Sequence, residues 1–241
     1  MNTLPTLIAA LALVIPPDGD SGFWVRHVGD RRTMLGQGDL SAHIHLSDLA
    51  NVPHLYALGP VVGLKGEITI IDSEPTIAVL RNGQPETSST FNLGACFLAF
   101  AQVPAWHRIE TTTQLDGFIS IAAQVEAVAT ELGLDLDGPL PFLIEGNCDQ
   151  LTYHIMFKNG DRPHNEQEHR KAKHVFDASG QRVQVVGFFA RRGGETFMGP
   201  GQVVHMHFRL PDGSQSGHVD EITFPDGAIL SLPAVVSSRR R

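Results

Sequence analysis

Between Val203 and Asp220 the chain reads Val-Val-His-Met-His-Phe-Arg-Leu-Pro-Asp-Gly-Ser-Gln-Ser-Gly-His-Val-Asp. Little but a β-hairpin accommodates that pattern. Alternate side chains of a strand share a face, so Val204, Met206, Phe208 and Leu210 make an apolar side while His205 and His207 point together to the other. Asp-Gly is a favoured centre for a two-residue hairpin loop. With Asp212 and Gly213 as that loop, Pro211 faces Ser214, His207 faces His218, and His205 faces Asp220. Opposed Cβ atoms then lie roughly 4.5–5.5 Å apart. Three imidazoles so placed can meet on one divalent ion at about 2.0–2.1 Å per nitrogen, with a position left open for water or substrate. Asp220 joins them as an orienting partner of an imidazole or as a fourth ligand. The register is decisive, because a bulge at Gly217 would turn His218 to the opposite face.

The remaining sequence suits a β-rich body. Of 241 residues 42% are apolar, enough for a large core, while only 18% are charged and Gly (24) and Pro (15) are plentiful. Strand patterns run over Phe23–His27, Glu67–Asp72, Thr76–Leu80, Phe97–Val103, Trp106–Thr113, Phe142–Glu145, Leu151–Phe157, Gln181–Ala190, Gly201–Leu210 and Gly217–Phe224. Met34–Gly38 reads as a turn, Leu46–Leu49 as a short helical piece, and Asn82-Gly83 as a tight turn. The one long helix spans Leu115–Gly133, where Phe118, Ile121, Ala122, Val125, Val128, Ala129 and Leu132 recur at helical spacing. Asn159–Lys173 is polar and reads as an exposed loop or short helix. A central helix among many strands predicts an α+β, or mixed α/β, architecture. The body is expected over 23–233, divisible near residue 140 into two β-sheet subdomains, with a flank at 1–22 and a basic tail at 234–241.

The formal charge is −8, and no basic stripe occurs before Arg239, Arg240 and Arg241, which read as a solvated tail; nucleic acid is not an expected partner. Leu7–Ile15 is an apolar run too short for a bilayer span of about 20 residues. No Lys or Arg precedes it and no clear cleavage site follows, so it reads as a helix packed on the body of a cytoplasmic protein, with a secretion signal as the alternative. Cys96 and Cys148 lack any CxxC spacing and are expected as buried thiols, or as one disulfide if the chain is exported. A second HxH, His43 and His45, has no turn to bring it a partner and reads as solvated or capping. His164, His169 and His174 lie in a polar segment and read likewise.

Several stretches resemble the α-acetolactate decarboxylases. Gly36–Leu40 and Ile44–Leu49 look like that family's opening segment, and Leu58-Gly59-Pro60-Val61-Val62-Gly63-Leu64-Lys65-Gly66-Glu67-Ile68 is similar to its Gly-x-Gly-Thr-Phe-x-x-Leu-Asp-Gly-Glu-Leu run. Gly187-Phe188-Phe189, the histidines at 205 and 207, Gly217-His218-Val219 and Leu232-Pro233 resemble its C-terminal half. The resemblance implies two packed β-sheet regions, zinc on His205, His207 and His218, Glu67 in acid/base work or metal contact, and a homodimer. Without it, Glu67 would read as a solvent-facing strand residue. Two departures stand out. Where the family carries an arginine for the substrate carboxylate, the alignment of Ile144-Glu145-Gly146 sets His154; and the family's C-terminal glutamate has no counterpart in Pro233–Arg241. Arg191 or Arg192 are the remaining candidates for holding an anion.

The expected reaction is decarboxylation of a 2-hydroxy-3-keto acid, acetolactate to acetoin and CO₂, in which a Lewis-acidic cation stabilises the enediolate. Glu67 would move a proton, and His154, if protonated, would contact the carboxylate. The same machinery suits an isomerisation, an aldol or retro-aldol step, or a dehydration of a related hydroxy-ketone. Manganese, iron, nickel or copper are alternatives to zinc. A metal- or small-molecule-binding protein without catalysis would need the histidines but not Glu67. A cupin oxygenase would need a glutamate soon after the HxH, where Pro211 and Asp212 stand.

Overall fold

The computed structural model describes residues 22–160, 162–192, 198 and 201–234. The readings of the apolar N-terminal run and of the arginine tail therefore lie outside the described residues. The chain lays down β1 (Trp24–Val28), α1 (Arg31–Gly36), β2 (Ile44–His45), β3 (Leu55–Pro60), β4 (Glu67–Ile71), β5 (Glu74–Arg81), β6 (Gln84–Ser88), β7 (Gly94–Ala95), β8 (Leu98–Gln102), β9 (Trp106–Glu110), β10 (Leu115–Asp116) and α2 (Gly117–Glu131). It continues with β11 (Leu140–Asn147), β12 (Gln150–Met156), α3 (Glu166–Ala172), β13 (Lys173–Asp177), β14 (Arg182–Phe189), β15 (Val204–Arg209), β16 (Ser216–Phe224) and β17 (Ile229–Pro233). The architecture is β-rich with few helices, as the pattern predicts.

Two sheets carry the fold. One runs β1-β8-β3-β4-β5-β6; the other runs β13-β12-β16-β15-β14-β11-β17-β9, with β10 against β16. Strand periodicity explains how they stack. On β4, Ile68 and Ile70 pack outward with Leu46, Leu49 and Leu55, while Ile71 packs inward with Tyr56, Leu58, Val186 and Phe188. On β15, Val204, Met206 and Phe208 face α2, whose Ile121, Ala122, Val125, Val128 and Ala129 are buried against them. Each such aliphatic or aromatic side chain contributes about 1.5–3 kcal/mol. The layers are thus the 44–52 segment, first sheet, second sheet and α2. Arg209 ties the sheets together: its Nε donates to Gln184 and its two terminal nitrogens to the carbonyl and carboxylate of Glu74.

α2 ends where its sequence says it should. Gly133 takes φ +68°, and Leu134 N–H donates back to the Ala129 carbonyl at 2.9 Å, closing the last turn. Gly187 is required for a different reason, since a Cβ there would stand 2.2 Å from the Phe142 ring. The segment expected as a turn at Met34–Gly38 overlaps a short helix instead, started by Asp30, whose carboxylate accepts the Arg32 N–H at 2.6 Å. The chain leaves the first sheet after β8, so β9, β10 and α2 all precede residue 140 yet build on the second sheet. Cys96 and Cys148 are buried, unbridged thiols.

Candidate active site

The hairpin register is the one that the Asp-Gly tip demands. His207 pairs with His218, Phe208 with Gly217 and Arg209 with Ser216. The tip itself is wider than a two-residue loop. Leu210 N–H donates to the Gln215 carbonyl and Gly213 N–H to the Leu210 carbonyl, leaving Pro211–Ser214 as a four-residue loop with Gly213 at φ +72°. Because the loop gains one residue on each side, the facing pairs are unchanged.

One nitrogen from each of His205, His207 and His218 lies within 4.8 Å of the other two. His205 Nε2 and His218 Nδ1 stand 3.1 Å apart. His207 is wholly buried. Its Nδ1 is 2.9 Å from the Ile68 carbonyl, which can only accept, so Nδ1 carries the proton and Nε2 the lone pair. That Nε2 has no hydrogen-bond partner among the described residues. A buried imidazole lone pair without a donor, two further imidazoles beside it, and a carbonyl fixing the ring from behind are what a divalent cation requires. The residues present fit the group.

Glu67 enters from β4 of the facing sheet and is 2% exposed, so the reading as a solvent-facing residue fails: both faces of β4 are covered. Burial pushes its carboxyl up to about 8, against the Met156 N–H, which donates to Oε1 at 3.2 Å. Its Oε2 lies 3.7 Å from His207 Nε2. Burial and the neighbouring imidazoles hold His207 and His218 well below the ordinary histidine value. Both sides of the contact are therefore neutral, and it is no ion pair.

His154 on β12 faces His218 across the strands, with ring centroids 4.4 Å apart. His207, His218 and His154 thus form one row across three adjacent strands. Asp220 does not face His205 as the simple ladder predicts. Thr152 pairs with Glu221 but Tyr153 with Val219, so a bulge leaves Asp220 unpaired and re-aims it. Both its carboxylate oxygens lie 3.0 Å from His154 Nδ1, and Lys173 Nζ lies 2.6 Å from one of them. Burial alone would raise the Asp220 carboxyl; the His154 and Lys173 contacts outweigh it and hold it low. Burial lowers His154 despite Asp220. His154, His218 and Asp220 also present ligand atoms within 4.8 Å of one another.

These groups open on a cavity of about 300 Å³ between the sheets, walled by Leu64, Phe97 and Met156. Arg31, Arg170 and Lys173 also line it. Sequence reasoning missed all three, because they come from α1, α3 and the start of β13, which share no motif. Arg191, proposed as an anion binder, instead donates to Glu126 on the outer side of α2 at 2.8 Å, and neither it nor Arg192 lines the cavity. Of the other histidines, His43 lies 3.2 Å from Asp39 and is exposed, and His45 starts a helical turn without a side-chain cap. His164 is buried and 3.2 Å from His169, which lines the cavity rather than standing in solvent.

Two stacked sheets of this topology define a class of β-rich fold, and known structures share that fold. Acetolactate decarboxylase of Bacillus subtilis strain 168 superposes with a TM-score of 0.70 at 16% identity, covering 87% of this chain and 86% of that one. A Staphylococcus aureus protein of unknown function similar to α-acetolactate decarboxylase gives 0.68 at 14% identity, with 86% and 84% covered. The enzyme of B. subtilis subspecies spizizenii gives 0.66 at 16% identity, with 87% and 86% covered. No family model and no curated protein matches the sequence. The chain has the acetolactate decarboxylase fold. Among the described residues no helix is long and apolar enough to cross a membrane.

Proposed function

We propose that the protein is a metal-dependent carbon–carbon lyase that decarboxylates a 2-hydroxy-3-keto acid, with acetolactate giving acetoin and CO₂. The observation that carries this reading is the buried, unpartnered Nε2 of His207 beside His205 and His218, facing Glu67 across the sheets. His205, His207 and His218 would hold the ion, zinc by preference for three imidazoles, with other divalent metals as alternatives.

The bound cation would supply Lewis acidity, drawing off the negative charge that develops on the hydroxyl and ketone oxygens as CO₂ departs. The chain supplies the protons. A carboxylate can only accept, so the His154 Nδ1–H is committed to Asp220 and a neutral His154 offers Nε2 as an acceptor. It would take the substrate's hydroxyl proton and return it to the oxygen as acetoin forms. Glu67, held as the acid at neutral pH, would deliver a proton to the carbon that loses CO₂. Leu64, Phe97 and Met156 keep water from that carbon. Adding acetolactate to metal-replete protein should release CO₂ and acetoin. Turnover no higher than in a His205→Ala control would reject the substrate.

One observation favours a second reading. A His154 that accepts through Nε2 is a poor substitute for an arginine that grips a carboxylate, and suits proton removal instead. On that reading the enzyme performs an isomerisation, a retro-aldol step or a dehydration on a related hydroxy-ketone. It predicts that His154→Arg raises acetolactate turnover, and an inert variant that keeps its metal would count against it. A binder without catalysis predicts that Glu67→Gln leaves the biological output unchanged.

A further inference from the structure

The cavity is polarised. Glu67 lies buried at its inner end, and Asp220 is engaged by His154 and Lys173. Arg31 and Arg170 have no comparable neutralisation. Among the described residues no carboxylate pairs with Arg31. Arg170 is 3.7 Å from Glu166, one turn back on its own helix, with the two side chains 71% and 78% exposed. Such a pair is worth little in water and yields readily to a better anion.

Their position is as telling as their charge. Both arginines line the site cavity and also a second hollow between α1 and α3, which Leu35 and Asn165 share. The histidines and Glu67 line the first cavity alone or lie behind it. The arginines therefore stand at the junction of the two hollows, which His154, His205 and His218 do not share. The two helices that carry them are anchored there. Met34 of α1 and Ala172 of α3 pack into one cluster with Leu64 and Met156, and Gly38 leaves room for the His164 backbone, which a Cβ would approach to 3.2 Å. A chain of net charge −8 concentrates two available guanidinium groups where a ligand would enter its site.

We infer that Arg31 and Arg170 form an oxyanion clamp at the cavity mouth, and that the preferred ligand is a hydroxy-ketone larger than acetolactate, bearing a carboxylate or phosphate at the end remote from the metal-chelating oxygens. This is distinct from a carboxylate on the reacting carbon, which would lie at the inner, metal-binding end of the cavity. The inference rests on the metal reading above for its inner half. The fork geometry of arginine suits both oxyanions, and two forks facing one group give orientation as well as charge.

Three hydroxamates test it on the metal-loaded protein: acetohydroxamate, which chelates metal and carries no remote charge; succinomonohydroxamate, with a remote carboxylate; and phosphoglycolohydroxamate, with a remote phosphate. At least one charged probe should bind tenfold or more tighter than acetohydroxamate, and which one does identifies the oxyanion. The double variant Arg31→Gln/Arg170→Gln should abolish that gap while leaving acetohydroxamate affinity and metal content unchanged. Equal affinities in the unaltered protein, or a gap that survives the double substitution, overturn the clamp. Should none of the three bind, the metal reading fails by itself. Inorganic phosphate then decides the clamp alone: binding weakened at least tenfold in the double variant supports it, and unchanged or undetectable binding overturns it.

Discussion

The chain contains two His-x-His pairs, and the fold treats them oppositely. His43 precedes and His45 ends a two-residue strand, β2, on the outer side of the first sheet, where among the described residues its ladder partner is β7, with Gly94 opposite His45. Both side chains are exposed. His205 and His207 lie in a six-residue strand held on both sides, with Val186 opposite His207 on β14 and His218 on β16. Their alternate residues are buried under α2, so the register cannot slip without exposing Val204, Met206 and Phe208. Two histidines at this spacing become a site only when a covered strand fixes their direction and a neighbour supplies the third ring.

The largest expected effect breaks the chemistry on one side of this comparison only. Glu67→Gln should lower turnover of the accepted hydroxy-ketone by roughly 10²–10⁴-fold, the usual contribution of a positioned proton donor. His43→Ala/His45→Ala should leave steady-state rates unchanged.

Next comes the ladder itself. A Cβ at Gly217 would meet the Tyr153 ring at 2.6 Å and the His154 carbonyl at 2.8 Å, pressing β12 away from β16. Gly217→Ala should cost about 1–3 kcal/mol in urea denaturation and should disturb the His154–His218 contact, visible as a weakened metal affinity.

A pH effect sharpens the contrast further. The Glu67 carboxyl is raised to about 8 in the folded chain from an ordinary 4.5. Between those values the unfolded chain has lost its proton and the folded chain keeps it, so metal-free stability falls as pH rises. From pH 7 to 8.5 the Glu67 contribution should begin just under about 1.4 kcal/mol per pH unit and flatten as the pH passes the folded value, and Glu67→Gln should remove it. A profile equally steep in the variant would place the titrating group elsewhere. Smallest of all, His43→Ala/His45→Ala should shift stability by no more than about 0.5 kcal/mol at any pH.

Much of this was legible in the residues. Alternation gave β15 its two faces, and the Asp212-Gly213 tip gave the pairing of His207 with His218, although the loop proves to be four residues long and not two. The long helix followed from its spacing and from Gly133. What escaped were features without a local signature. The bulge that turns Asp220 from His205 to His154 arises from pairing with β12, some 65 residues earlier, and the arrival of Lys173 beside it depends on β13, an edge strand too short and polar to announce itself. Glu67 looked like an outward strand residue because its burial is imposed by the opposite sheet. Arg31 and Arg170 meet only through the packing of two short helices.

Metal content per chain, measured on protein grown and purified with zinc, manganese and iron supplied together, bears most directly on the whole account. One ion per chain is expected in the unaltered protein and in His43→Ala/His45→Ala, and none in His205→Ala/His207→Ala/His218→Ala that still folds by circular dichroism. A folded triple variant that keeps a full ion, or an unaltered protein that takes up none, would contradict it.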